Sequence, residues 1–147
     1  MLFRSHVSDV DASVKAAEQR IVQINSELST QKVIQKHCDS YRLCRKVIED
    51  CKSAKNPIAY RTKHQAEYQL HDSLKKELQD LGVTKIPSSN KIQKRIENLV
   101  SEQAATVREK QELQKKQKAL DIIRQNFTAL LNAPEMQIQT QIKEEIL

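Results

Sequence analysis

Apolar residues recur along this chain at helical spacing. Val7, Val10, Val14, Ala17, Ile21, Ile24 and Leu28 step forward alternately by three and four positions, which lays one narrow apolar seam along a helix and calls for a partner helix to cover it. The seam then changes phase. Gln31 falls on the stripe, and apolar positions resume at Ile34, Tyr41, Cys44, Ile48 and Cys51, so a stutter is expected near residues 31–34. Nothing interrupts this helix before Asn56-Pro57, which gives a first helix over 7–55. Asn caps and Pro suits the first helical position, so a second helix is predicted over 57–81, with Ala66, Leu70, Leu74, Leu78 and Leu81 as its stripe. Gly82 ends it, and residues 83–87 form an extended connection. Ser88 or Ser89 caps a third helix over 89–131, with Ile92, Ile96, Leu99, Val107, Leu113, Leu120, Ile123, Phe127 and Leu130 at helical spacing. Gln103, Lys110 and Gln117 dilute that stripe, which predicts a middle section that projects into solvent or packs loosely. After Asn132-Ala133-Pro134, residues 133–147 are expected as a flexible tail that frays as a short helix or stays disordered.

Composition agrees with this reading. The 147 residues include one Gly, three Pro, no Trp and five aromatics, whereas a sheet protein needs turn residues every 8–12 positions or so. The remaining segments are rich in Lys, Glu, Gln, Leu, Ala and Arg, which lose little rotamer freedom in a helix. The predicted fold is therefore all-α: long helices in an up-down-up bundle or an antiparallel coiled coil with overhanging ends. The overhanging seam at 7–28 must be covered by the third helix, a second copy of the chain, or a domain outside it, which makes a homo-oligomer one expected state. No apolar run is long enough to span a membrane and no secretory leader follows the start, so a cytoplasmic protein with no membrane partner and three reduced thiols is expected.

Charge is unevenly distributed. Residues 31–63 carry nine Lys/Arg against three Asp/Glu, an excess equal to the whole chain's +6, while residues 1–30 come to −1. Arg42, Arg45, Lys46, Lys52, Lys55, Arg61 and Lys63 form a basic stripe that can neutralise phosphates, with Tyr41 and Tyr60 available to stack on bases. The alternative is a solvated helix face.

The stretch "KHCDSYRLCRKVIEDC" packs three cysteines and a histidine into sixteen residues, but a helix fixes where they point. Cys44 and Cys51 share a face roughly 10 Å apart, Cys38 lies about 120° round from Cys44, and His37 faces elsewhere. His64 and His71 are likewise two turns apart. No metal site is expected; Cys44 and Cys51 are read as small seam hydrophobes. The chain has no Gly-rich phosphate loop and no Gly-x-Ser-x-Gly, and Tyr41, Tyr60 and Tyr68 lack a base or metal cage, so neither catalysis nor a cofactor is expected.

The run "SYRLCRKVIEDCKSAKNPIAYRTKHQAEYQLHDSLKKELQDLGVTKIPSSNKI", followed by "KKQKALDIIRQNFTALLN", resembles the C-terminal helical region of MobA/VirD2-type relaxases of Gram-positive mobile elements. The resemblance covers roughly residues 10–132. It rests on Tyr41-Arg42, the Lys55-Asn56 junction, Tyr60-Arg61 with His64, the leucine helix ending at Leu81-Gly82, Lys85-x-Pro87, and Asp121-Ile122-Ile123. It implies a helical accessory region in conjugation and mobilisation, whose parent nicks DNA with a tyrosine and a histidine-held metal. None of that nuclease apparatus has a matching motif here. Expected partners are then DNA at a transfer origin, other conjugation proteins, or the missing nuclease domain; the alternative is a stand-alone coiled-coil interaction module with no nucleic-acid role. Residues 1–5, "MLFRS", correspond to a start codon followed by bases resembling the end of a common sequencing adapter, so they are expected to be a non-native leader on a fragment whose frame continues upstream of His6.

Overall fold

A computed structural model describes residues 2–132 of the chain. The four helices are α1 (Leu2–Asp50), α2 (Pro57–Lys63), α3 (Gln65–Asp80) and α4 (Ser89–Asn132), and there is no strand among the described residues. The expected all-α class of long helices is therefore observed. Residues 2–5 of the expected leader lie within α1, and the expected tail over 133–147 lies outside the described residues.

The helix ends follow local chemistry. Asn56 precedes proline and is extended (φ −128°, ψ 93°), so the chain has to leave α1 before it. It does so over a 3-10 turn at Cys51–Ser53, earlier than the expected end at 55. The Asn56 side chain then accepts from the Ala59 amide at 3.2 Å and caps α2. α3 closes on Gly82 at φ 83°: the Gly82 amide donates to the Gln79 carbonyl at 2.9 Å and the Val83 amide to that of Leu78 at 2.8 Å. Val83 packs onto the same core as Leu78, so the cap is also an apolar contact. Ser88 caps α4, its hydroxyl accepting from the Lys91 amide at 3.2 Å.

The expected single helix over 57–81 is broken at His64. The His64 amide donates to the Tyr60 carbonyl at 3.0 Å, while its own carbonyl accepts from Glu67 and Tyr68 at 3.1 and 3.2 Å. Neither Gly nor Pro marks this break. Tyr60 instead reaches the Val47 carbonyl of α1 at 2.9 Å, Leu74 and Leu78 are buried in the core, and the non-helical His64 (φ −104°, ψ 24°) lies between these two anchors.

The described residues form two compact units, one of residues 22–104 and one of residues 2–21 with 105–132. The first holds the main core: Ile24, Leu28, Ile34, Cys38, Tyr41 and Cys44 from α1, Leu74 and Leu78 from α3, and Ile92, Ile96 and Leu99 from α4, with Val83 and Ile86 of the connection against them. Leu78 and Leu99 are each only 1% exposed, the kind of burial worth about 1.5–3 kcal/mol per side chain. The α1 row steps from Leu28 through half-buried Gln31 to Ile34, two steps of three, which is the stutter the sequence suggested. On α3 the buried positions are Leu74 and Leu78 with half-buried Glu67 and His71; Ala66, Leu70 and Leu81 of the expected stripe are exposed. His37 meets Glu77 at 3.2 Å and Tyr41 stacks on His71 at 4.6 Å, so α3 is antiparallel to α1. Arg95 donates to Glu27 (Nε to Oε1 2.9 Å), Gln35 to Gln93 at 3.0 Å and Arg42 to Ser89 at 2.8 Å, so this part of α4 is antiparallel to α1 as well. Of the two expected arrangements, the antiparallel coiled coil describes the α1–α4 pairing. The third helix does not reverse on the second, because the eight residues from Leu81 to Ser88 are long enough to lead the chain back before α4 begins.

The second unit pairs the start of α1 with the later part of α4. Val14, Ala17 and Thr106 are buried; Val7, Val10, Ile21, Val107, Leu113 and Leu120 are half-buried. The seam at 7–28 thus finds the third helix, one of the three covers expected for it. The polar seam residues of α4 do not project into solvent. Lys110 pairs with Glu18 at 3.6 Å and Gln117 donates to Asp11 at 2.7 Å, and in the first unit Gln103 donates to Asn25. Ile123, Phe127 and Leu130, expected on the stripe, are exposed.

Candidate nucleic-acid interface

The basic candidates lie in the first unit, on the last turns of α1, the 3-10 turn, the connection that follows it (Lys55), and α2. α2 is tied to α1 by the Tyr60 hydroxyl on the Val47 carbonyl, and the Cys51 thiol points to the Pro57 carbonyl at 3.8 Å. Sequence reasoning grouped seven cations, and the structure sorts them by what each already touches.

Arg42 is turned inward. Its guanidinium donates to the Pro87 carbonyl, to the Ser89 hydroxyl at 2.8 Å and to Asp39 at 3.2 Å, and it is half-buried. It fastens the α3–α4 connection to α1. Arg45 is exposed and donates to Glu49 at 3.2 Å, a hydrogen bond that raises it above its ordinary range, with a second bond donated to Tyr41 adding to it. Arg61 lies over the Tyr68 ring, 5.2 Å from its centroid, a cation–π contact at an exposed site. Lys46, Lys52, Lys55 and Lys63 are exposed, and none has a carboxylate partner among the described residues. These four ammonium groups are the cations free to meet a phosphate.

The aromatics expected to stack on bases do other work. Tyr41 is 7% exposed and stacks on His71 inside the core. Tyr60 is half-buried, tilts against His64 at 4.3 Å, and spends its hydroxyl on Val47. Desolvation pushes the Tyr60 phenol up, helped by Asp50. The Tyr68 phenol is raised chiefly by its hydrogen bond with Cys51. The Tyr41–His71 pair was not legible in the sequence, because its rings come from separate helices, whereas Tyr60 and His64 stand four residues apart on the last turn of α2.

The cysteines are redistributed too. Cys38, expected to point away from the seam, is fully buried; Cys44 is buried as expected; Cys51 is half-buried at the turn rather than on a seam. Burial raises the thiols of Cys38 and Cys44, with Glu67 adding to the second. No group of three or more side chains suited to a metal ion gathers among the described residues. No helix among them is long and apolar enough to cross a membrane.

The fold and this surface together define a helical protein built on antiparallel coiled-coil pairing, with a lysine-bearing junction. Comparison with family models, with curated proteins and with solved structures finds no match. The relaxase resemblance therefore stands on the motifs quoted for it alone.

Proposed function

We propose that this chain is a non-catalytic helical binding element that holds nucleic-acid phosphates through Lys46, Lys52, Lys55 and Lys63, as an accessory region of a mobilisation relaxase would. The observation that supports it is the contrast among the seven cations: the arginines are engaged within the protein, whereas four exposed lysines on consecutive elements have no carboxylate partner among the described residues. Ammonium groups act as point charges, so this surface favours backbone contact over base readout. The inward-turned tyrosines favour the same conclusion.

Fluorescence anisotropy with duplex and single-stranded oligonucleotides tests it. Four phosphates neutralised give a log–log salt slope of about −3.6 on duplex and about −2.8 on single strands. Replacing the four lysines by alanine should flatten that slope. A wild-type chain that shows no binding at low salt, or a slope unchanged by the substitutions, removes the proposal.

A second reading has its own support. Ile122, Ile123, Leu130 and Leu131 are all more than half exposed on the last turns of α4, more apolar surface than an isolated helix end needs. A protein-interaction module with no nucleic-acid role accounts for them. Under that reading Ile123→Lys and Leu130→Lys lower self-association in sedimentation while oligonucleotide binding is never measurable.

A further inference from the structure

The hydrogen-bond ladder of α2 runs almost unbroken into α3. The His64 amide donates to the Tyr60 carbonyl at 3.0 Å and the Tyr68 amide to the His64 carbonyl at 3.2 Å, both four-residue helical bonds. Two rungs are missing. Among the described residues neither the Gln65 nor the Ala66 amide has a carbonyl partner, where a continuous helix would give them those of Arg61 and Thr62. The sequence from Ile58 to Leu81 contains neither Gly nor Pro, and a helix as short as α2 is not stable by itself, so local preference alone would join 57–80 into one helix.

What holds the break is therefore a contact that a continuous helix could not keep. Tyr60 against His64 at 4.3 Å and His64 with Glu67 at 3.4 Å are i,i+4 and i,i+3 pairs, which an unbroken helix keeps as well. α3 is fixed by Leu74 and Leu78 in the core and by the bond of Tyr68 with Cys51. α2 is held to α1 by the Tyr60 hydroxyl, which donates to the Val47 carbonyl at 2.9 Å in a partly buried place. The other tie, the Cys51 thiol to the Pro57 carbonyl at 3.8 Å, comes from the 3-10 turn and uses a weak donor. The exposed lysines fall on either side of this clasp: Lys46 on α1 and Lys52 on the turn, Lys55 just before α2 and Lys63 at its end.

We propose, building on the phosphate-binding reading, that Tyr60 is the positioning residue of the lysine surface: its hydroxyl, by holding the Val47 carbonyl, keeps α2 separate from α3 and fixes Lys55 and Lys63 relative to Lys46 and Lys52. Without that hydroxyl, residues 57–80 become one helix and Lys63 goes with α3. Lys55 follows, because a single residue separates it from Pro57. A nucleic-acid backbone then meets two ammonium groups in place of four.

Tyr60→Phe in the full chain removes one oxygen and keeps the ring against His64. Hydrogen exchange resolved by residue needs no ligand: the Gln65 and Ala66 amides should exchange within about tenfold of the unstructured rate in the wild type and at least about tenfold slower than that wild-type rate in the variant, as they gain the Arg61 and Thr62 carbonyls. A merely structural loss speeds exchange and does not slow it. Slow amides at 65 and 66 in the wild type, or no slowing in the variant, overturn the proposal, as does lost protection at Leu74, Leu78 and Leu99, which would place Tyr60 in the service of the core. Anisotropy with duplex oligonucleotides reads the consequence: with all four lysines present, the log–log salt slope should fall from about −3.6 to about −1.8 in Tyr60→Phe. A variant with the wild-type slope overturns the positioning role and leaves the phosphate-binding reading intact. A wild-type chain that binds no oligonucleotide removes that reading instead, and the positioning role with it, while the exchange rates still decide whether Tyr60 holds the break.

Discussion

Arg42 separates the two roles a basic residue can have on this surface. Its guanidinium bridges α1 to the Pro87 carbonyl and the Ser89 hydroxyl, and alanine would leave both without their donor. A hydrogen bond from a charged donor is worth about 1.5–3 kcal/mol. The Arg42 side chain is 35% exposed, so water replaces part of each bond, and the Asp39 pair, 59% exposed on the acid side, adds at most about 0.5 kcal/mol. The expected cost of Arg42→Ala is therefore about 2 kcal/mol, roughly a thirtyfold change in the folding equilibrium. Urea unfolding followed by far-UV circular dichroism measures it. Arg42→Lys should recover less than half, since one ammonium cannot serve two acceptors in a planar fork. Lys46→Ala, four residues on, should shift stability by less than about 0.5 kcal/mol. An Arg42→Ala chain as stable as wild type that has lost oligonucleotide affinity would refute the assignment and return the guanidinium to the phosphate surface.

Lys110→Leu should raise stability by about 1 kcal/mol, because a half-buried ammonium on the seam is replaced by apolar area, while loosening the α1–α4 register; sedimentation should then show added oligomers, and an unchanged monodisperse species would argue against a register role for Lys110–Glu18. Leu78→Ala should cost about 2–5 kcal/mol in the same unfolding assay, and a loss under 1 kcal/mol or so would mean that the three-helix core does not carry the first unit. Under native conditions a thiol reagent should modify Cys51 first and leave Cys38 and Cys44 slow, since burial raises both thiols; Cys38 reacting as fast as Cys51 contradicts the packing. The Glu67 carboxyl is held below its ordinary value first by its backbone hydrogen bond and then by His64, so its contribution is present at neutral pH and is lost as pH falls below the usual glutamate range. Glu67→Gln should flatten that acid limb, and an identical acid limb in the variant removes Glu67 from the account.

The helical class, the cap at Asn56-Pro57, the glycine stop at Gly82 and the stutter near Gln31 were all legible in the sequence. Each is settled by a few neighbouring residues: a missing amide hydrogen, a positive φ, or a step of three in place of four. The basic stripe was legible as composition, but which of its cations stay free was not. Arg42 and Ser89 are 47 positions apart, and only the return of the chain to the start of α4 brings them within 2.8 Å.

The same limit separates the seams. Gln103, Lys110 and Gln117 look like dilution of a stripe when α4 is read alone, and become rungs only when Asn25, Glu18 and Asp11 face them from α1. Thr106 took the buried place expected nearer Val107, and His64 became a break with no breaker residue, because tertiary anchors on α1 overrode local preference. Periodicity along the chain therefore determined that these residues form helices and roughly where each begins and ends. Helix direction, register, and the division of the cations into structural and exposed belong to the tertiary structure, since a side chain's partner is chosen by distance in space, which no local pattern encodes.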